Sequence, residues 1–148
     1  MATSHSRKRK HSPVLLSLYI SSLLLSLLLL YLSFLNIRDI SCTPSASTSL
    51  HIAQYFTVLV SPFLLLISIL WIVTKMCYLQ HKCIVSYNFV EMPSAVFCSL
   101  ISGICAVIEI LYSIDYSTPD GWIDKCSSTA AVAVFLCALH AILAFSLE

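Results

Sequence analysis

The chain has 148 residues, of which 59% are hydrophobic and 10% are charged, and its formal net charge at pH 7 is +1. Its mean hydropathy of +0.92 lies far above that of soluble domains and excludes a water-soluble fold. The segments between its apolar stretches are too short to form an independent domain with a core of its own.

Length and hydropathy predict four membrane-spanning helices. A helix needs about 20 apolar residues to cross a hydrocarbon core about 30 Å thick. The chain contains four such stretches, at 14–35, 52–74, 93–114 and 126–147. We therefore predict an all-α fold, an integral membrane antiparallel four-helix bundle with left-handed packing. It comprises a basic cytosolic leader, 1–13, and a membrane domain, 14–148.

The first span has an alternative interpretation as a cleaved signal peptide. The apolar region of such a peptide is about 7–15 residues long and ends in small residues. This stretch is longer and ends in Phe34, Leu35 and Asn36. A retained membrane helix is therefore favoured.

Two prolines bear on the geometry of the predicted helices. Pro62 lies within the second span, where it frees a backbone carbonyl that neighbouring helices can satisfy, so we expect a kink rather than a break. Pro93 is expected in the first turn of the third helix, where its missing N–H costs nothing.

The distribution of Lys and Arg predicts that both termini are cytosolic, because basic residues near helix ends are retained on that side. Residues 7–10 are all basic and the central loop adds Lys75 and Lys82, whereas the other loops hold only Arg38 and Lys125. The run at 7–10 also resembles a nuclear address or a nucleic-acid patch. Next to a membrane helix it is better interpreted as a topology anchor, so we predict no nucleic-acid partner.

Glu109 is the main candidate for a polar site within the membrane, because an ionisable residue in a span is costly and often functional. At 1.5 Å per residue it lies about 8 Å below the outer end of its span, level with Tyr31 and Thr57. The favoured interpretation is a structural carboxyl that is hydrogen-bonded to Tyr31 or Thr57, or reached by Arg38. A role in transport or headgroup binding is the alternative. His140 lies about 12 Å deeper, too far for a direct proton relay, and is interpreted as a packing residue.

The cysteines are scattered rather than grouped. Cys42 and Cys126 fall on the predicted outer side, where a disulfide is a candidate. Cys77 and Cys83 flank the cytosolic end of the second span and are candidates for palmitoylation. No spacing typical of a metal site, glycine-rich phosphate loop or catalytic constellation is present, so we expect no metal, no cofactor and no enzymatic activity.

Small residues recur at four-residue intervals in the third span, at Ala95, Ser99 and Gly103. Such residues allow helices to approach closely within lipid. Packing inside the bundle is the favoured interpretation, and a dimer face is the alternative.

The segments FVEMPSAVFCSLISGICAVIEILYSID and STAAVAVFLCALHAILAFSLE resemble the MARVEL family of four-span membrane proteins, in particular its MAL and plasmolipin branch. Glu109 matches an acidic position of the third span, and His140 with Ala141 matches a late pattern of the fourth. The resemblance covers roughly a third of the chain, and the leucine-rich first helix departs from it. It implies a non-enzymatic protein that organises membrane subdomains, vesicle traffic or membrane apposition.

The resemblance also implies membrane lipids as partners, in cholesterol- and sphingolipid-rich plasma membrane or endomembrane vesicles, together with other membrane proteins or self-association. Two alternatives remain open. In the first, the chain is an accessory subunit of a larger membrane complex. In the second, it is a small dimeric transporter that uses Glu109. The transporter is less favoured because transport sites tend to lie near the midplane on broken helices.

Overall fold

A computed structural model describes four α-helices: α1 Pro13–Ile40, α2 Thr48–Leu79, α3 Tyr87–Asp115 and α4 Trp122–Leu147. Their side chains are described at Val14–Arg38, Tyr55–Cys77, Glu91–Ile114 and Ser127–Leu147, and each of these stretches is long and apolar enough to cross a membrane. The described residues contain no strand. The predicted all-α membrane fold is confirmed, with helices that extend beyond most of the predicted span ends.

The four helices form an antiparallel bundle in which each helix packs against two others. α1 and α3 each pack closely against α2 and α4, whereas the backbones of the diagonal pairs stay apart within the described ranges. The diagonal helices α2 and α4 still meet through the rings of Trp71 and His140. Along α1, Tyr19 and then Ser22 meet Trp71 and then Ser68, so the residue numbers of α2 fall as those of α1 rise. Neighbouring helices therefore run in opposite directions, as predicted.

Buried residues recur at alternating intervals of three and four along each helix. In α1 they are Tyr19, Ser22, Ser26, Leu29, Ser33 and Asn36. In α2 they include Thr57, Ser61, Leu64, Ser68 and Trp71. In α3 they include Glu91, Ala95, Cys98, Ser102, Cys105 and Glu109. In α4 they include Thr129, Ala133, Leu136, His140, Leu143 and Leu147. A mean spacing of 3.5 residues keeps one stripe of each helix on the bundle axis and is typical of left-handed packing.

The bundle interior mixes polar and apolar side chains, whereas the outside is almost entirely apolar. Serine and threonine hydroxyls occupy much of the buried stripes, while long apolar side chains such as Leu24, Leu59, Leu100 and Phe145 point outward. Lipid tails are as apolar as leucine, so burying a leucine between helices brings little gain, whereas hydroxyl groups find hydrogen-bond partners there. The same reasoning explains why the serines of α1, rather than its leucines, define its packing face.

Both prolines lie inside helices. Pro62 lacks the N–H that would bond the carbonyl of Val58 four residues earlier, and the hydroxyl of neighbouring Ser61 donates to that carbonyl at 3.2 Å. The helix itself, rather than a neighbour, thus supplies the replacement bond. Pro93 does not lie in the first turn, as the sequence had suggested, because α3 already begins at Tyr87.

Candidate functional site: two polar layers in the bundle core

The inner polar layer joins three helices through direct hydrogen bonds. The hydroxyl of Ser22 in α1 lies 2.8 Å from the hydroxyl of Ser68 in α2 and 2.8 Å from Nε2 of His140 in α4. Ser68 also donates to the carbonyl of Leu64 at 2.9 Å. These side chains are fully buried, so the layer ties the helices together inside the bundle.

Aromatic rings and α3 complete this inner layer. The rings of Trp71 and His140 meet edge to face with centroids 5.6 Å apart. The ring centroids of Tyr19 and Trp71 are 5.9 Å apart. The imidazole also lies beside the backbone carbonyl of Cys98 in α3. Trp71 Nε1 donates to the hydroxyl of Ser94 in α3 at 3.0 Å. All four helices therefore meet around His140.

The outer polar layer is built around Glu109. Its side chain is only 1% exposed and lies beside the hydroxyl of Thr57 in α2 and the thiol of Cys105 in its own helix. Neither Glu109 Oε2 nor Thr57 Oγ1 makes a well-aligned hydrogen bond among the described groups, so Thr57 contacts the carboxyl only loosely. At the same end of the bundle, Asn36 Nδ2 of α1 donates to Thr129 Oγ1 of α4 at 3.0 Å.

The two layers are well separated along the bundle axis. Eleven residues separate Thr57 from Ser68 in α2, and the same number separates Cys98 from Glu109 in α3. At 1.5 Å per residue, both intervals correspond to about 16 Å. Glu109 and His140 therefore make no direct contact, in line with their predicted difference in depth.

Two of the groups expected near Glu109 lie elsewhere. Tyr31 is 61% exposed and points away from the bundle axis, and Arg38 is exposed in the last turn of α1. Within the described ranges the backbones of α1 and α3 do not come close to each other. Tyr31 follows the buried Leu29 by two residues, which turns it about 200° around the helix. The prediction placed Tyr31 beside Glu109 because the two residues have a similar depth in the membrane. The position of Tyr31 around the helix, however, directs its side chain outward. Thr57 is the one group of the three that lies beside the carboxyl.

The small residues of α3 lie against α4 of the same chain or in the core. Ala95 is fully buried. The hydroxyl of Ser99 donates to the carbonyl of Cys137 at 3.0 Å. A Cβ at Gly103 would lie 3.5 Å from Cys137 Sγ, in ordinary van der Waals contact. This close approach explains why α3 and α4 share the most extensive helix interface.

The cysteine predictions fall largely outside the described residues. Cys42 and Cys83 lie there entirely, and so does the side chain of Cys126, so the disulfide and the second palmitoylation candidate stay predictions. Cys77 carries a free, half-buried thiol near the end of α2. Among the described side chains, no three His, Cys, Asp or Glu residues are grouped as a metal site requires.

Sequence reasoning missed the layer formed by Ser22, Ser68 and His140. The signal was present in the spacing of Ser22, Ser26 and Ser33 along α1, since polar residues at alternating intervals of four and seven mark one helix face. Hydropathy alone concealed this face because leucine dominates the helix and further serines, such as the exposed Ser17, lie on other faces.

Four apolar helices around a polar axis define an integral, multi-pass membrane protein. In comparisons with protein-family models, curated proteins and solved structures, the chain matches none. The resemblance to the MARVEL family accordingly stays a prediction that rests on the two segments in α3 and α4.

Proposed function

We propose that this chain is a non-enzymatic four-span membrane protein that organises membrane subdomains and takes part in vesicle traffic or membrane apposition. Both termini face the cytosol in this proposal, and the protein resides in the plasma membrane or in endomembrane vesicles. Its partners are membrane lipids, including those of cholesterol- and sphingolipid-rich regions, and other membrane proteins or further copies of itself.

The observation that carries the proposal is the division of side chains between the core and the outside. Polar side chains such as Ser22, Ser68 and His140 bond across helices, so they hold the bundle together. Long apolar and aromatic side chains cover the outside, and Phe145 of α4 is 78% exposed. The outer surface is thus the part of the bundle available to lipids and membrane proteins, and it suits lateral association better than chemistry on a soluble substrate.

The shape of this outer surface adds support. A groove of about 250 Å³ lies between α3 and α4, with Ser99, Ala141 and Ala144 among its lining residues and the larger Met92 and Phe145 beside them. Small residues between large ones leave a depression along a helix pair, and lipid chains are the material that surrounds it in a bilayer. In this proposal the groove between α3 and α4 changes the packing of the lipid chains that lie against it.

The proposal is tested by purifying the unmodified protein and Glu109→Gln in a mild detergent and recording native mass spectra of both. A monomer or small homo-oligomer that retains lipid, with little change in the variant, is expected. Ser146→Ala is a matched control because Ser146 is exposed and bonds only its own helix, at Ile142. Loss of all bound lipid together with absence of self-association would contradict the proposal.

Two alternatives have distinct outcomes in the same experiment. Stoichiometric foreign subunits would identify an accessory chain of a larger membrane complex. An obligate dimer that loses a bound cation in Glu109→Gln would identify a small transporter. One observation favours the transporter: the Glu109 carboxyl is buried in the bundle core beside the hydroxyl of Thr57.

A further inference from the structure

The face of α1 that points away from the bundle carries a regular stripe of exposed side chains. The stripe recurs at alternating intervals of three and four residues and consists of Leu24, Leu27, Tyr31, Phe34 and Arg38. At 3.6 residues per turn, each member lies within about 40° of the direction opposite the buried Leu29. This outer stripe is therefore the part of α1 that meets the surroundings of the bundle.

An apolar groove of about 600 Å³ follows the outer stripe. Leucine side chains and the rings of Tyr31 and Phe34 form its walls. From Leu24 to Phe34 the lining extends about 15 Å along the helix axis. Half of a hydrocarbon core about 30 Å thick has the same depth. The groove thus has the length of the acyl chains of a single leaflet.

Arg38 places a positive charge just beyond the groove. The 25 residues from Val14 to Arg38 extend about 36 Å. That length exceeds a hydrocarbon core of about 30 Å but not the roughly 40–45 Å that includes the headgroups. When the segment is centred in the bilayer, Arg38 lies at the level of the headgroups, about 6 Å beyond Phe34.

The charge of Arg38 faces outward from the protein. In the stretches whose side chains the structure describes, the acidic residues are Glu91 and Glu109, and both are buried in α3. The outer stripe of α1 points away from that core, so neither carboxyl faces the guanidinium. An anionic group at the headgroup level is the complementary partner.

We propose that the outer stripe binds one phospholipid, with its phosphate on Arg38 and an acyl chain in the groove between Leu24 and Phe34. A guanidinium and a phosphate form short, charge-assisted hydrogen bonds, often two in parallel. The inference rests on the proposed membrane-organising function and names the class of lipid that α1 holds. With both termini in the cytosol, the lipid belongs to the outer leaflet.

A second copy of the chain fits the outer stripe less well. Intervals of three and four residues also suit the packing of one helix against another. Two copies with the same orientation in the membrane would, however, bring their Arg38 side chains together at one end of the contact, where like charges repel. A phosphate neutralises the same charge. Charge complementarity therefore favours the lipid.

The test uses the full chain in a mild detergent, titrated with dioleoylphosphatidylcholine or with dioleoylglycerol, which has the same chains without the phosphate. Native mass spectrometry counts the bound lipids. We expect one phosphatidylcholine to remain at collision energies that remove the others, and dioleoylglycerol to bind several-fold more weakly. Arg38→Gln should weaken phosphatidylcholine binding several-fold, and Arg38→Lys, which keeps the charge, should retain part of it.

Matched variants separate the charge from the groove. Lys75→Gln removes a positive charge near the opposite end of the bundle and should leave binding at the outer stripe unchanged. Phe34→Ala removes a wall of the groove and should weaken binding of both lipids, whereas Leu66→Ala on α2 should not. Phe34 and Leu66 are 61% and 64% exposed, so both variants should fold, which circular dichroism checks.

Equal binding of phosphatidylcholine to the unmodified chain and to Arg38→Gln would overturn the inference. A homodimer that Phe34→Ala dissociates would also overturn it, because the outer stripe would then hold a second copy. Both results are compatible with the proposed function, which includes lipid bound elsewhere and self-association. Failure of the proposed function is recognised separately, by the absence of both lipid and self-association in the unmodified chain.

Discussion

Ser22 of α1 and His140 of α4 lie 2.8 Å apart, through Oγ and Nε2, at the centre of the bundle. These residues are distant in sequence, and their contact fixes the level at which the first and last helices pair. The same hydroxyl is hydrogen-bonded to Ser68 of α2, so the side chain of Ser22 links three helices.

Truncation of His140 should destabilise the bundle. His140→Ala removes the bond to Ser22 and the edge contact with Trp71. We expect the free energy of unfolding to fall by about 2–3 kcal/mol, because a large-to-small core substitution adds to the loss of an interhelical bond of about 0.6 kcal/mol. Reversible unfolding in mixed detergent measures this change. Ser146→Ala is the control, and equal stability of the two variants would contradict the prediction.

The space beside Gly103 predicts a sharp dependence on side-chain size. Gly103→Ala places its Cβ 3.5 Å from Cys137 Sγ without a clash, so we expect stability to change by less than about 1 kcal/mol, with a gain from helix propensity. Gly103→Leu should cost about 1–3 kcal/mol because it forces α3 and α4 apart. The same unfolding assay compares both variants, and similar losses for Ala and Leu would show that the gap is not size-limited.

Ser61 should matter only while Pro62 is present. Ser61→Ala removes the donor to the Val58 carbonyl, and we expect a cost of about 0.5–1 kcal/mol. In a Pro62→Ala background the restored backbone N–H bonds that carbonyl, so the same change should cost little. A double-mutant cycle in the unfolding assay measures the coupling. Equal costs in both backgrounds would mean that the two residues act independently.

The basic leader should set the orientation of the chain. Replacing residues 7–10 by neutral ones leaves Lys75 and Lys82 on one side against Arg38 and Lys125 on the other. We expect a mixture of orientations, because the imbalance of basic residues that holds the termini in the cytosol is lost. Accessibility of an N-terminal tag in sealed membranes measures this. Replacing Thr3, Ser4 and Ser6 by Ala is the control, and an outward N-terminus in the unmodified chain would refute the assignment.

The number and type of helices could be predicted because the length and hydropathy of a span are fixed by the bilayer. The rotation of each helix about its axis could not be predicted. Leucine lies on every side of α1, and the depth of a residue in the membrane does not say which way its side chain points. Tyr31 shows the result: it lies at the expected depth but on the outward face. The start of α3 was misplaced because proline fits a first turn and also the interior of a membrane helix, where neighbouring groups satisfy the freed carbonyl.

Thr57 was predicted beside Glu109 because both hydroxyl and carboxyl are polar groups at one depth on helices adjacent in the chain. The His140 layer was not predicted, since it depends on which of several serines face the axis. The spacing of Ser22, Ser26 and Ser33 indicates a polar face of α1, but the residues that this face meets are set by the packing of all four helices together.

Packing within the bundle is uneven: α3 packs most extensively against α4, and α1 against α2. Each pair is contiguous in the chain, so the protein is built from two helical hairpins. Serine and threonine interrupt an apolar span only mildly. We therefore expect each hairpin to enter the bilayer as a unit and the two hairpins to associate after insertion. His140 arrives on one hairpin, and Ser22 and Ser68 arrive on the other. The bond between Ser22 and His140 is therefore expected to form only when the hairpins associate, and it gives the joined hairpins a single register.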